Sequence, residues 1–177
     1  MKYAYTLFIL AFAVVACAPD QIISHEDMDM HVGHHTMAPI TSEEEFLVEM
    51  IPHHQEAVDT SIIIYQNTQN EALRDLARRI IDAQEEEIQM MQTWLDEDFG
   101  GGFEASYENM MPDLEQYSGV NQDNAYIHGM IMHHLMAVEM AEEVLALNPS
   151  ERVRVFAEEV IAVQSAEIEE MYGLMRH

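Results

Sequence analysis

Met50-x-x-His53-His54-x-x-Ala57-Val58, followed by Ala77-x-x-Ile80-Ile81-x-x-Gln84-x-x-Glu87-Ile88-x-x-Met91, is the stretch on which the fold turns. It recurs without a gap 80 positions later as Met130-x-x-His133-His134-x-x-Ala137-Val138 and Ala157-x-x-Val160-Ile161-x-x-Gln164-x-x-Glu167-Ile168-x-x-Met171. A constant offset marks an internal repeat, and a repeat alone speaks only to architecture. The spacing within each copy is that of helices with one apolar face. Each copy keeps a His-His pair, a Gln, a Glu and methionines on that face.

Working outward, four helices are expected. The first starts at Ser42, with Ser42 and Glu45 as a capping box, and carries Phe46, Leu47, Met50, Ala57, Val58, Ile64 and Tyr65 on its apolar side. Pro52 inside it predicts a kink or a loosened turn. The second spans about Asn70 to Asp96 after the cap pair Thr68 and Glu71, and the third about Asp123 to Leu147. The fourth follows Asn148-Pro149-Ser150-Glu151, read as an Asn148 N-cap with proline at the first helical position. The connector contains Gly100-Gly101-Gly102 and Pro112, is too long for a tight turn, and is expected to hold a short helix around Tyr107 to Met111. Hairpins 42–97 and 123–176 joined by connector 98–122 describe an all-α, ferritin-like four-helix bundle over 42–177. No strand pattern competes.

The N-terminus is read apart from the fold. Lys2 precedes the apolar stretch Tyr3 to Ala16, so 1–16 is expected to be a secretory signal, too short for an ordinary membrane span. Val14-Val15-Ala16-Cys17 resembles a bacterial lipobox, which makes Cys17 the lipidation site and membrane anchor; the alternative is an ordinary signal peptide with an incidental cysteine. With Cys17 acylated, disulfides and thiolate ligands are excluded. Lys2 is the only lysine, so the mature chain sets six arginines against 33 acidic residues. Such a surface repels nucleic acid and draws cations. Residues 17–41 lack any period and are expected to be a flexible tether. Within it His25, Met28, Met30, His31, His34, His35 and Met37 are candidates for loose metal capture, or else part of a biased polar linker.

Heights and faces carry the chemistry. His54 lies about 14 residues before the turn near Thr68 and Gln84 about 16 after it, so both stand roughly 21–24 Å from that turn. Each antiparallel hairpin therefore sets its histidines level with its Gln and Glu, near a thioether on either helix. Buried polar groups need partners, and a buried carboxylate needs a charge. Either the residues form a hydrogen-bonded network, with Glu87 fixing one histidine and Gln84 the other, or they bind metal. The candidate ligands are Met50, His53, His54, Glu87, Met91, Met130, His133, His134, Glu167 and Met171, supported by Gln84 and Gln164. Thioether plus imidazole without thiolate suits Cu(I) or Ag(I); imidazole plus carboxylate also suits Cu(II), Zn or iron. The tail's Met/His cluster favours copper. One inward carboxylate per hairpin and no inward Glu-x-x-His argue against a di-iron centre. No Ser/His/Asp pattern, thiol or phosphate-cradling loop points to an enzyme.

These paired blocks resemble the bacterial family "domain of unknown function 305", over about residues 42–175. The resemblance implies an envelope or secreted protein with a ferritin-like bundle, associated in some members with copper. It implies Met50, His53, His54, Met130, His133 and His134 as ligands, faced by Gln84, Glu87, Met91, Gln164, Glu167 and Met171. The resulting expectation is an extracytoplasmic, lipid-anchored protein that sequesters or delivers Cu(I) and is not an enzyme; a redox activity at the bundle centre is an alternative that rests on fold analogy alone. The rival is a helical lipoprotein module that docks a protein partner through its acidic surface, its histidines serving as core hydrogen bonders.

Overall fold

The computed structural model describes residues 38–101 and 104–175. These contain α1 (Glu43–Asn67), α2 (Glu71–Phe99), a 3-10 turn (Leu114–Gln116), α3 (Gly119–Ala146) and α4 (Glu151–Leu174), and no strand. No described helix is long and apolar enough to cross a membrane. Residues 1–16, Cys17 and the tail residues His25, Met28, Met30, His31, His34, His35 and Met37 lie outside the described residues.

Local chemistry sets the helix ends, and several differ from expectation. Ser42 Oγ caps α1 by accepting from Glu45 N at 3.0 Å. The box is only half made, because Glu45 Oε2 accepts from Thr41 N and Oγ at 2.8 and 2.6 Å instead. Three first-turn glutamates complement the positive helix end. Pro52 removes one N–H donor, yet α1 continues through it as a single helix. Tyr65, expected on the apolar side, is exposed.

The cap of α2 is Asn70, whose Oδ1 accepts from Ala72 N and Leu73 N. Thr68 Oγ instead accepts from Asn70 N and donates to Asp123 Oδ2. The cap of α4 is Ser150 rather than Asn148, because Asn148 adopts φ +55°, a left-handed conformation that cannot open a helix. Helix α3 begins at Gly119, earlier than expected. No helix forms around Tyr107 to Met111: the Met110 and Met111 amides donate to the Glu56 side chain, not to carbonyls of a turn.

Within each hairpin the two helices pack side by side, and the hairpins meet chiefly along α1 and α3. Surface pairs Arg79–Glu170 (2.5 Å) and Arg152–Glu97 (3.0 Å) span α2 and α4, contributing about 1 kcal/mol or less each. The apolar core is split in two. One cluster takes Phe46, Leu47, Met50, Met91, Ala137, Met140, Val153 and Phe156. The other takes Ala57, Ile64, Leu73, Ile80, Tyr126, Met130, Ile168 and Met171. Early α1 thus packs with late α2, late α3 and early α4. On every helix buried polar residues fall between the clusters at mid-height: His53 and His54, Gln84, His133 and His134, and Gln164.

The connector lies against α3 at Gly129, where a Cβ would stand 2.6 Å from Pro112 Cδ and 3.1 Å from Met111 Sδ. Helix propensity alone favours Gly129→Ala by about 1 kcal/mol. The overlap opposes it with a cost of about 1–3 kcal/mol. We expect a net loss of stability in urea unfolding; a gain would show that the connector is not seated there.

Candidate metal centre

The mid-height layer holds His53, His54, His133 and His134, all fully buried. Neighbouring helical residues point about 100° apart, so each His-His pair splits between two neighbours. His54 turns toward its own hairpin partner, with Nε2 2.8 Å from Glu87 Oε2 on α2. His134 does the same, 2.9 Å from Glu167 Oε2 on α4. The other two meet across the α1–α3 seam. Their rings lie 3.6 Å apart between centroids, and His53 Nε2 lies 3.1 Å from the His133 carbonyl oxygen. His133 Nε2 faces Glu56 Oε2 at 3.4 Å and the Tyr107 hydroxyl at 3.5 Å.

Three of these Nε2 atoms face a carboxylate or carbonyl at 2.8–3.1 Å, and the fourth faces a carboxylate at longer range. Ionised carboxylates and carbonyls only accept, so Nε2 carries the proton in a neutral imidazole. The lone pair is then on Nδ1. All four Nδ1 atoms are buried without a hydrogen-bond partner, as are Gln84 Oε1 and Gln164 Oε1. The layer therefore presents six unpartnered acceptors with no donor facing them. Each unsatisfied buried group costs about 1–3 kcal/mol, which a cation at that level would offset.

Burial, and then the proximity of His133, His54 and His134, holds His53 well below the usual imidazole value of 6.5; Glu56 opposes this. Burial followed by His134 and His54 does the same for His133. Both are neutral at physiological pH, the state a metal requires.

The donor set is soft. Met50, Met91, Met130 and Met171 are fully buried, and Met50 and Met130 each precede a His-His pair by one helical turn. Among the described residues no three His, Cys, Asp or Glu side chains come together in a group that could hold a metal ion, so the histidines alone do not make a closed site. Mixed imidazole and thioether donors fit a low-coordinate soft cation better than a closed Zn or Ca site. Glu87 and Glu167, read from sequence as ligands, sit on Nε2, where they fix the ring and its tautomer.

Sequence reasoning missed three residues. Glu56 Oε1 accepts from Met110 N and Met111 N at 2.9 and 3.0 Å, while its Oε2 accepts from the Tyr107 hydroxyl. Glu49 Oε1 accepts from Ser106 N and Oγ. Glu49, His53 and Glu56 share an α1 stripe at helical spacing, a signal the repeat obscured because positions 129 and 136 hold Gly and Met. Nothing in the connector sequence marks Tyr107.

The site is thus a mid-height layer of anchored histidines in an all-α bundle, with buried methionines in the apolar clusters on either side. The chain belongs to the family described as Domain of unknown function (DUF305), whose model matches residues 43–175. Among solved structures it is similar to CopM in the Cu(I)-bound form, with 32% identity and a TM-score of 0.71, covering 77% of this chain and 97% of that one. It is similar to the Cu(II)-bound form of CopM with 30% identity, a TM-score of 0.70 and the same coverage. A DUF305 protein from Streptomyces coelicolor, described as secreted, gives 25% identity and a TM-score of 0.64 over 73% of this chain and 89% of that one. No curated protein matches the chain.

The two depressed imidazoles make stability depend on pH. Their folded-state values lie below the unfolded value of about 6.5, so the unfolded chain takes up protons first as pH falls. Their stabilising contribution is full above about pH 6.5 and is lost below it, by about 1.4 kcal/mol per histidine per pH unit until the folded-state value is reached. We expect urea unfolding of the metal-free chain to show this slope between about pH 6.5 and 5.5, and His53→Gln with His133→Gln to flatten it. A slope indifferent to both substitutions would contradict the burial argument.

Proposed function

We propose that this protein binds copper as Cu(I) in the mid-height layer and serves to sequester or deliver it in the cell envelope. The observation that carries this reading is the set of six buried acceptors without hydrogen-bond partners, four of them imidazole Nδ1 atoms, carried by residues that lie between two apolar clusters. The ion is cargo. Nδ1 lone pairs would take it, with thioether sulfur from Met50 or Met130 one turn away, while Nε2 stays on Glu87, Glu167, Glu56 and the His133 carbonyl. CopM, similar in fold and sequence, has been seen with Cu(I), Cu(II) and Ag, which supports the choice of a soft or borderline metal.

The bundle is best read as ferritin-like and duplicated. The caps Asn70 and Ser150, and the pairs His54–Glu87 and His134–Glu167, stand at one 80-residue offset, which supports that reading. Cys17 would carry the lipid anchor, and the Met/His tail would capture ions for the bundle. The role is binding, without turnover.

Anaerobic Cu(I) titration of the mature chain against a chromogenic chelator tests the site, compared with a form lacking residues 18–37. Tight competition by both forms is expected. Replacing His53, His54, His133 and His134 by Ala should abolish bundle binding while helicity persists. Glu87→Ala with Glu167→Ala should weaken it about 10–100-fold by freeing the rings. Undiminished affinity in the shortened four-histidine variant would leave the histidines as core hydrogen bonders and turn the search to protein partners.

A further inference from the structure

His53 and His133 are fully buried, so an ion reaches them only if something moves. The four helices run 24 to 29 residues each and pack through the two apolar clusters. The connector is built differently. Residues 104–113 form no helix or strand, and the amides of Ser106, Met110 and Met111 donate to side chains of α1.

The attachment is narrow. Glu49 Oε1 accepts from Ser106 N at 2.7 Å and from Ser106 Oγ at 2.9 Å. Glu56 Oε1 accepts from Met110 N and Met111 N at 2.9 and 3.0 Å, and Glu56 Oε2 accepts from the Tyr107 hydroxyl. On the other side Met111 and Pro112 sit on Gly129 of α3. The segment thus crosses the α1–α3 seam where the His53 and His133 rings meet. Tyr107 lies edge-on to His53, with ring centroids 5.6 Å apart, and its hydroxyl is 3.5 Å from His133 Nε2. Just beyond, the chain is anchored again: Leu114 is buried, and its carbonyl accepts from Gln122 Nε2 at 2.9 Å. Open space flanks the Glu49 and Glu56 bonds. One groove runs between α1 and Asn109 to Glu115, and another separates α1 from Gly101 and Ala105.

We propose that residues 104–113 are a strap that opens to let an ion in and out at His53 and His133, with Glu49 and Glu56 as its latches and Tyr107 as its cover. That the ion is Cu(I) rests on the reading above; that the strap is the door to these two rings does not. Water takes up the amides and carboxylates that opening frees, whereas moving α2 or α4 would expose an apolar cluster. Segments with few buried apolar contacts open at the low end of the stability scale. Glu56, Asp59, Asp113 and Glu115 line the groove along the strap, which concentrates cations beside the door. His54 and His134 turn away, toward Glu87 and Glu167, and lie outside its cover.

The test is carbethoxylation of the histidines by diethyl pyrocarbonate in the metal-free mature chain, read residue by residue by tandem mass spectrometry. Glu49→Ala removes one latch and Tyr107→Ala removes the cover. Each should speed labelling of His53 and His133 about tenfold or more, the size expected from one lost bond to a charged group, with His54 and His134 little changed. Melting curves of both variants verify that the fold persists. In Glu49→Ala, release of Cu(I) to a chromogenic chelator should quicken by a similar factor. Unchanged labelling of His53 and His133, an equal increase at all four rings, or an unchanged release rate would overturn the strap. A chain that binds no Cu(I) would defeat the copper reading alone, because the labelling still decides for or against the strap.

Discussion

A neutral imidazole carries one N–H, and when the ring is buried its neighbours decide which nitrogen holds it. Here the neighbours of Nε2 are Glu87, Glu167, the His133 carbonyl and the Glu56 carboxylate. All are acceptors, so the four lone pairs are left on Nδ1 in the bundle interior. Much of the molecule serves this condition. Hairpin geometry brings α2 and α4 carboxylates level with the histidines, and the two apolar clusters close the layer above and below. The rings are fully buried while Glu87 and Glu167 keep partial contact with solvent, and burial of the rings makes the unpartnered acceptors costly.

The two hairpins are alike in the layer and unlike outside it. His54–Glu87 and His134–Glu167 are equivalent bonds of nearly equal length. Along the α1–α3 seam the equivalence ends. Helix α1 presents Glu49 and Glu56, which hold the connector through Ser106, Tyr107, Met110 and Met111. Helix α3 presents Gly129, which lets Met111 and Pro112 come close. The connector is therefore part of the centre, lying beside the closely apposed, tilted rings of His53 and His133 and bringing Tyr107 to within 5.6 Å of the His53 ring.

How much of this could be read in the chain follows from range. Four helices and the level of the histidines follow from a 3.6-residue period and a hairpin of known rise, both local properties. Pairing of Glu87 with His54 was within reach for the same reason. Caps were harder: Asn148 looks like a better helix start than Ser150 until its left-handed φ is known, and Thr68 is drawn away by Asp123 on another helix. The partners of Glu56 lie more than 50 residues away in a segment without periodicity. No local pattern encodes such a contact. The repeat drew attention to positions it preserves, and Glu56 is not one of them.

The tautomer of the four buried histidines is the central claim, and nitrogen NMR of the imidazole rings measures it directly. In the metal-free protein near pH 7.5, above the ordinary imidazole range, His53 and His133 should be neutral with the proton on Nε2, and His54 and His134 should carry an Nε2–H against Glu87 and Glu167. Adding Ag(I), a diamagnetic soft ion, should then move their Nδ1 resonances while the Nε2–H signals persist. A proton on Nδ1 in place of Nε2 at these rings, or charged imidazolium at His53 or His133, would contradict the account.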